Sequence, residues 1–221
     1  MPVAKAIIAG SPYLGVYLRA SESVAFVPPS TPALLQRDLE RILGVAIHPA
    51  TVASSELLGA LLAFNSNGIV VGDPLDLSER ARLGSLAPVT ELRVRFNALG
   101  NNILVNDHGA LVHPEFSDDV IHRISTALKV PARRGTLAGL GTVGMAGAVT
   151  NRGLVVHPKT TESEAAHAEE VLGVPVHRST ANFGVAIVGA CLVANGRGIV
   201  TGSATTPVEI VHLQEGFQVL D

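Results

Sequence analysis

The sequence predicts an α+β fold in which five ββαβ repeats close into a ring with pseudo-five-fold symmetry around an axial channel. Two position series carry that reading. The first is Gly15, Gly59, Gly100, Gly144 and Gly189, with steps of 44, 41, 44 and 45 by subtraction. The second is Ser23, Gly68, Gly109, Gly153 and Gly198, with steps of 45, 41, 44 and 45, so the two series stay 8 or 9 residues apart. One such series could arise by chance, whereas two in register mark a structural repeat. A third observation fits: aromatics are only 4% of the 221 residues, which leaves Val, Ile, Leu and Ala to build the core.

Each unit opens with an apolar stretch between the two markers, ending in polar turn residues such as Asn65-Ser66-Asn67 and Asn195-Gly196-Arg197. A second apolar run follows the second marker, as in Val24 to Val27 and Ile69 to Val71, so the pair reads as a hairpin. These strands run into Pro28, Asp73, Pro114, Pro158 and Ser203. A helix comes next. Thr31 caps the first ahead of Pro32, with Leu35, Leu39 and Ile42 on one face. Asp76 or Ser78 starts the second, and Ser117 the third, with Ile121, Ile124 and Leu128 in line. Thr161 with Glu164 and Thr206 with Glu209 have capping-box spacing, and the fifth helix ends near Leu213. Gly44 and Gly173 end the first and fourth helices. A third strand completes the unit, most visibly Thr90 to Phe96, where Leu92, Val94 and Phe96 alternate with charge. The fifth unit lacks this strand, and residues 3–9 are expected to supply it. One domain over 1–221 results, with repeats near 15–58, 59–99, 100–143, 144–188 and 189–221.

With 47% apolar and 16% charged residues the chain is not disordered. A formal charge of −3 gives no global attraction for nucleic acid. The single Cys191 rules out an internal disulfide. No apolar run approaches the length of a membrane span, and the N-terminus lacks a signal-peptide core, so a soluble cytoplasmic protein is expected.

Several stretches are similar to the archaeal form of the translation initiation factor 6 family, whose fold is the pentein. They are Phe96-Asn97-Ala98-Leu99-Gly100-Asn101, Asn106-Asp107, Ala110-Leu111-Val112-His113-Pro114, the run from Thr150 through His157-Pro158 to Thr160, and Gly202 to Glu209. The resemblance spans essentially the whole chain. It implies a monomeric anti-association factor that binds the large ribosomal subunit, beside a ribosomal protein near the sarcin–ricin loop and with at most limited rRNA contact. It also implies no cofactor and no catalysis. The contact region it points to contains Gly100-Asn101. Repeat equivalence adds Leu14 and Gly15, Gly59 and Ala60, and Gly144 with Met145 and Ala146 to the same rim.

The other candidates have plainer readings beside the functional ones. The rim glycines serve equally well as tight corners. Asn65, Asn106, Asn151 and Asn195 suit hairpin turns. His113 and His157 are too far apart in angle for a shared metal and read as strand-end residues bonded to backbone. Arg133-Arg134 reads as a solvated pair, with a phosphate contact as its alternative. Cys191 carries the runner-up function, a guanidine-modifying enzyme of the amidinotransferase or deiminase type. Its uncharged surroundings raise a thiol pKa and argue against that chemistry. A ring scaffold for some other protein partner is the third reading.

Overall fold

The computed structural model describes residues 3–72 and 74–219, which leaves Asp73 and the chain's extreme residues outside it. It begins with β1 (Val3–Ala6). The first unit holds α1 (Leu14–Tyr17), β2 (Arg19–Ala20), β3 (Val24–Val27), α2 (Ala33–Leu43) and β4 (Ala46–Pro49). The second holds α3 (Leu58–Leu61), β5 (Leu62–Phe64), β6 (Ile69–Val71), α4 (Leu77–Gly84) and β7 (Val89–Glu91). The third holds α5 (Leu99–Asn102), β8 (Ile103–Val105), β9 (Ala110–Val112), α6 (Asp118–Leu128) and β10 (Ala132–Arg134). The fourth holds α7 (Val143–Ala146), β11 (Gly147–Val149), β12 (Leu154–Val156), α8 (Glu162–Leu172) and β13 (Val176–Arg178). The fifth holds α9 (Val188–Cys191), β14 (Leu192–Asn195), β15 (Gly198–Gly202) and α10 (Pro207–Phe217).

In every unit the hairpin is antiparallel, and in the first four the third strand joins its return strand in parallel, the long helix making the crossover. In the fifth sheet β1 takes the third place, pairing with β15 from Val3↔Ile199 to Ala6↔Gly202. The one-turn helices contact their neighbours in sequence, and α9 meets α1, which closes the circle. This is the five-fold ring that the two marker series predict.

The structure corrects several local expectations. The first markers sit inside one-turn helices, and the strand starts only after them. Ser21 N–H donates to the carbonyl of Val24, as Asn65 does to Gly68 and Asn106 to Gly109, so Val24 and not Ser23 is the first unit's second marker. The third strand of the second unit is only β7; Leu92 is fully buried and Val94 and Phe96 are half-buried, but their alternation reflects loop packing. Pro32 stands at the N-cap of α2, and Thr31, one residue earlier, leaves its buried Oγ1 without a partner. The last helix continues past Leu213 to Phe217. Asp76, Ser117, Thr161 and Thr206 do cap their helices, three of them in full capping boxes. The short step of 41 coincides with α4, which has eight residues where the other long helices have eleven.

The core lies between units. Leu39 and Leu43 of α2 pack with Val193 and Val200 of the fifth unit, and Ile124 and Leu128 of α6 with Ala63 and Val70 of the second. Likewise Ala168 and Leu172 of α8 meet Leu104 and Leu111, and Phe217 of α10 meets Val155. Each helix thus covers the sheet before it, and no unit buries its apolar face alone. Buried amides fasten the same joints. Asn65 Nδ2 donates to the carbonyls of Asn106 (3.1 Å) and Leu128 (2.9 Å), while its Oδ1 accepts from its own turn. Asn106 and Asn195 do likewise. Thr150, not Asn151, occupies the corresponding place in the fourth unit.

Around the axis each first marker lies against the backbone of its neighbour. A methyl group on Gly15 would overlap the carbonyl oxygen of Gly189, one on Gly59 that of Gly15, and so on through Gly100, Gly144 and back to Gly189. Gly59→Ala is therefore expected to destabilise by more than about 3 kcal/mol or to prevent folding. Gly84→Ala, at a helix position with open space around it, should stabilise by up to about 1 kcal/mol. Urea unfolding of the two variants checks both.

Candidate docking face

The strand directions give the ring two unlike ends. Each hairpin leaves a one-turn helix, turns at the far end and returns, so the long helix starts, and the third strand ends, beside the one-turn helices. We call this the helix-start pole and the other the turn pole. Of the nine exposed large apolar side chains among the described residues, all but Val211 lie at the helix-start pole. Ile7, Tyr13, Leu57, Leu140 and Phe183 come from the loops leading into the one-turn helices, and Leu34, Leu77 and Val208 from the first turns of long helices. Phe183 is 81% exposed. Charges at this pole are in part mutually paired, Arg134 with Asp118 at 2.7 Å and Arg178 with Glu162 at 3.0 Å.

Capping glutamates hold three of these loops, those of Leu57, Leu140 and Phe183. Glu164 closes the capping box of α8 and also accepts from Thr136 Oγ1 (2.7 Å) and the N–H groups of Ala138 (3.1 Å) and Gly139 (2.8 Å). Glu209 does the same for Thr180, Phe183 and Gly184. Glu79 takes Thr51 and Ser54. Burial alone raises the Glu164 carboxyl, but the donors from Gly139, Thr136 and Thr161 outweigh it and bring it down to about 2. Glu209 is likewise raised by burial and lowered further by Thr206, Gly184 and Thr180, to about 2. The apolar loops are thereby presented on a fixed frame.

The rim residues expected from sequence divide by burial. Leu14, Gly15, Gly59, Gly100 and Ala146 are buried, together with Gly144, and cannot offer side chains to a partner. Ala60, Asn101 and Met145 are half-exposed at the pole. The Asn101 side chain has no hydrogen-bond partner among the described residues. Asn102 beside it is buried and donates to the carbonyls of Phe96 and Ala98, fixing the turn that presents Asn101. Sequence reasoning missed Tyr13, Leu57, Leu140 and Phe183. Their signal is an apolar residue within a connecting loop a few residues before each first marker.

The turn pole is polar. Asp107 accepts from Ser66 N–H and Oγ–H and from Asn151 Nδ2, and Glu22 accepts from the N–H groups of Asn151 and Gly196. Of the other candidates, Nδ1 of His113 and of His157 accepts a backbone N–H two residues on. Arg133 pairs with Glu170 and Arg134 with Asp118, so both guanidinium groups already have protein partners. Cys191 is fully buried; burial pushes its thiol up to about 12, with Glu209 adding to the rise against a hydrogen bond from Asn182. No group of three or more potential metal ligands comes together, and no helix is long and apolar enough to cross a membrane, among the described residues.

A pseudo-five-fold ring with a buried cysteine and an apolar pole defines a pentein-type protein whose candidate site is a docking surface. The comparisons then fix the family. The eIF-6 family model matches residues 3–216, and the chain belongs to that family. It is 41% identical over 214 residues to the translation initiation factor 6 of Methanoculleus marisnigri, covering 97% of each chain. The factor of Methanosarcina mazei is 41% identical over 208 residues, 94% of each chain. That of Thermoplasma acidophilum is 35% identical over 215 residues, covering 96% of this chain and 98% of the relative.

Two expectations follow. Both glutamates have folded pKa values below the ordinary 4.5, so their contribution is complete above that pH and fades as pH falls toward 2. Glu164→Gln should lower stability at neutral pH and flatten its decline in acid, as read by denaturant titrations at several pH values. Cys191 should resist a thiol reagent in the native protein and react once the chain is unfolded.

Proposed function

We propose that the chain is a cytoplasmic translation initiation factor that binds the large ribosomal subunit through its helix-start pole and thereby keeps the small subunit from joining. The apolar pole on a rigid ring carries this reading, and the shared name of the relatives supports it. Tyr13, Leu57, Ala60, Asn101, Leu140, Met145 and Phe183 make the contact. Leu14, Gly15, Gly59, Gly100 and Ala146 act beneath them, by holding the backbone in place. The partner is a ribosomal protein near the sarcin–ricin loop, with limited rRNA contact: an apolar surface on a chain of charge −3 suits a protein far better than a phosphate backbone.

No chemical step is needed. A chain of this length packs into a body about 45 Å across, and such a body on a docking surface excludes another by volume. The factor acts as a monomer, one copy per subunit. The enzyme reading loses support because the Cys191 thiol is buried and protonated at neutral pH.

Cosedimentation with purified large subunits, and light scattering of subunit joining, test the proposal. Asn101→Arg and Phe183→Glu should each weaken binding by about tenfold or more without unfolding the protein. His108→Arg at the turn pole should leave binding unchanged. Equal affinity of all four proteins would remove the helix-start pole from the contact. No cosedimentation of the wild-type chain would overturn the function itself.

A further inference from the structure

Four residues beyond each first marker stands a residue of the opening strand, and those of the first, third, fourth and fifth units line the cavity at the centre of the ring. In four units this residue is aliphatic: Ala63, Leu104, Ala148 and Val193. In the first it is Arg19. The pairing Arg19↔Phe26 matches Ala63↔Val70 and Leu104↔Leu111, so the five positions are equivalent. The surroundings are polar in one respect only. The overlaps that forbid a side chain on each first marker involve two carbonyl oxygens, one in the preceding one-turn helix and one on the residue just after it, and these pairs recur around the axis. Arg19 reaches past the neighbouring unit to one such pair: Nη2 donates to the carbonyl of Gly100 at 3.0 Å and of Ile103 at 3.4 Å.

Arg19 has no ion-pair partner among the described residues. Two carboxylates line the channel, Glu22 and Asp107, and both lie at its turn-pole mouth, engaged by the turns. Arg19 is half-buried, and its partial removal from bulk water lowers the guanidinium to about 10, which still leaves it charged at neutral pH. A cavity of about 30 Å³ beside it has room for one water. An aliphatic residue would fill the position as its four counterparts do, without the cost of taking a cation out of bulk water.

We propose that the centre of the ring is a binding site for one hydrogen-bonding monocation, and that the chain fills it with its own Arg19, tying the first unit to the third across the axis. Removing the side chain at Cβ leaves that site empty and able to take up free guanidinium. Arg19→Ala should melt about 5 °C or more below the wild type. About 20 mM guanidinium chloride should recover at least half of that loss, saturably, relative to equal sodium chloride, and should give the wild type no gain. Crystals of the variant grown with guanidinium should show it between the carbonyls of Gly100 and Ile103. An alanine variant as stable as the wild type, or one that guanidinium helps no more than sodium, overturns the proposal. If Arg19→Ala does not fold, Arg19→Lys and Arg19→Met decide. A lysine variant more stable than the methionine variant supports a cation site, and a methionine variant equal to the lysine variant or better overturns it.

Discussion

Everything in this molecule depends on how closely five backbones approach one another at the axis. Each first marker rests its bare Cα against carbonyl oxygens in and just after the adjacent one-turn helix, a separation that no side chain allows. The second markers repeat the device further out. Gly68, Gly109 and Gly153 lie against the backbone of the next unit's long helix, at Ala127, Val171 and Gly216. Two concentric sets of backbone contacts therefore fix radius and tilt before any side chain is considered. Side chains then fill what is left, which explains a core built from Val, Leu, Ile and Ala with few aromatic rings.

Polar groups supply the register. Asn65, Asn106 and Asn195 each shape a hairpin turn and bond the backbone of the following unit, so one residue type does local and long-range work together. Glu79, Glu164 and Glu209 do the same at the other pole, each capping its own helix and tying the loop that arrives from the unit before. The third unit has Val120 at the matching helix position, and the loop before it is held differently: Phe96 stacks on His113 at 4.2 Å, and Asn102 bonds the carbonyls of residues 96 and 98. The first unit also lacks the glutamate, with Leu35 at that position, and the loop of the third unit leads directly into the one-turn helix that carries Asn101.

The period, the helix caps and the hairpins were legible because they depend on short-range chemistry: glycine at close contacts, Asn at turns, Thr or Asp ahead of Glu at helix starts. Boundaries were harder. Thr90 to Phe96 alternates like a strand, yet only β7 pairs, because the alternation of Leu92, Val94 and Phe96 serves packing against α6 and not a ladder. The second series places its first member at Ser23, one residue early, since Val24 fills a place that is glycine elsewhere. The candidate rim was only half legible. Spacing leads to segments at the helix-start pole, but whether Gly100 or Asn101 faces outward is a matter of helix phase within a single turn, which period alone does not set. Arg19 escaped notice because its meaning appears only when the five equivalent positions are compared.

The pairing of β1 with β15 sets the order of events during synthesis. Val3 meets Ile199 across 196 intervening steps of chain by subtraction, so a strand made early is among the last to find its place. Until then the fifth sheet lacks its third strand, and the long-range search that supplies it is the kind that slows folding. Protection of the amides of β15 against hydrogen exchange would accordingly be a late kinetic event, timed by the reunion of the two ends.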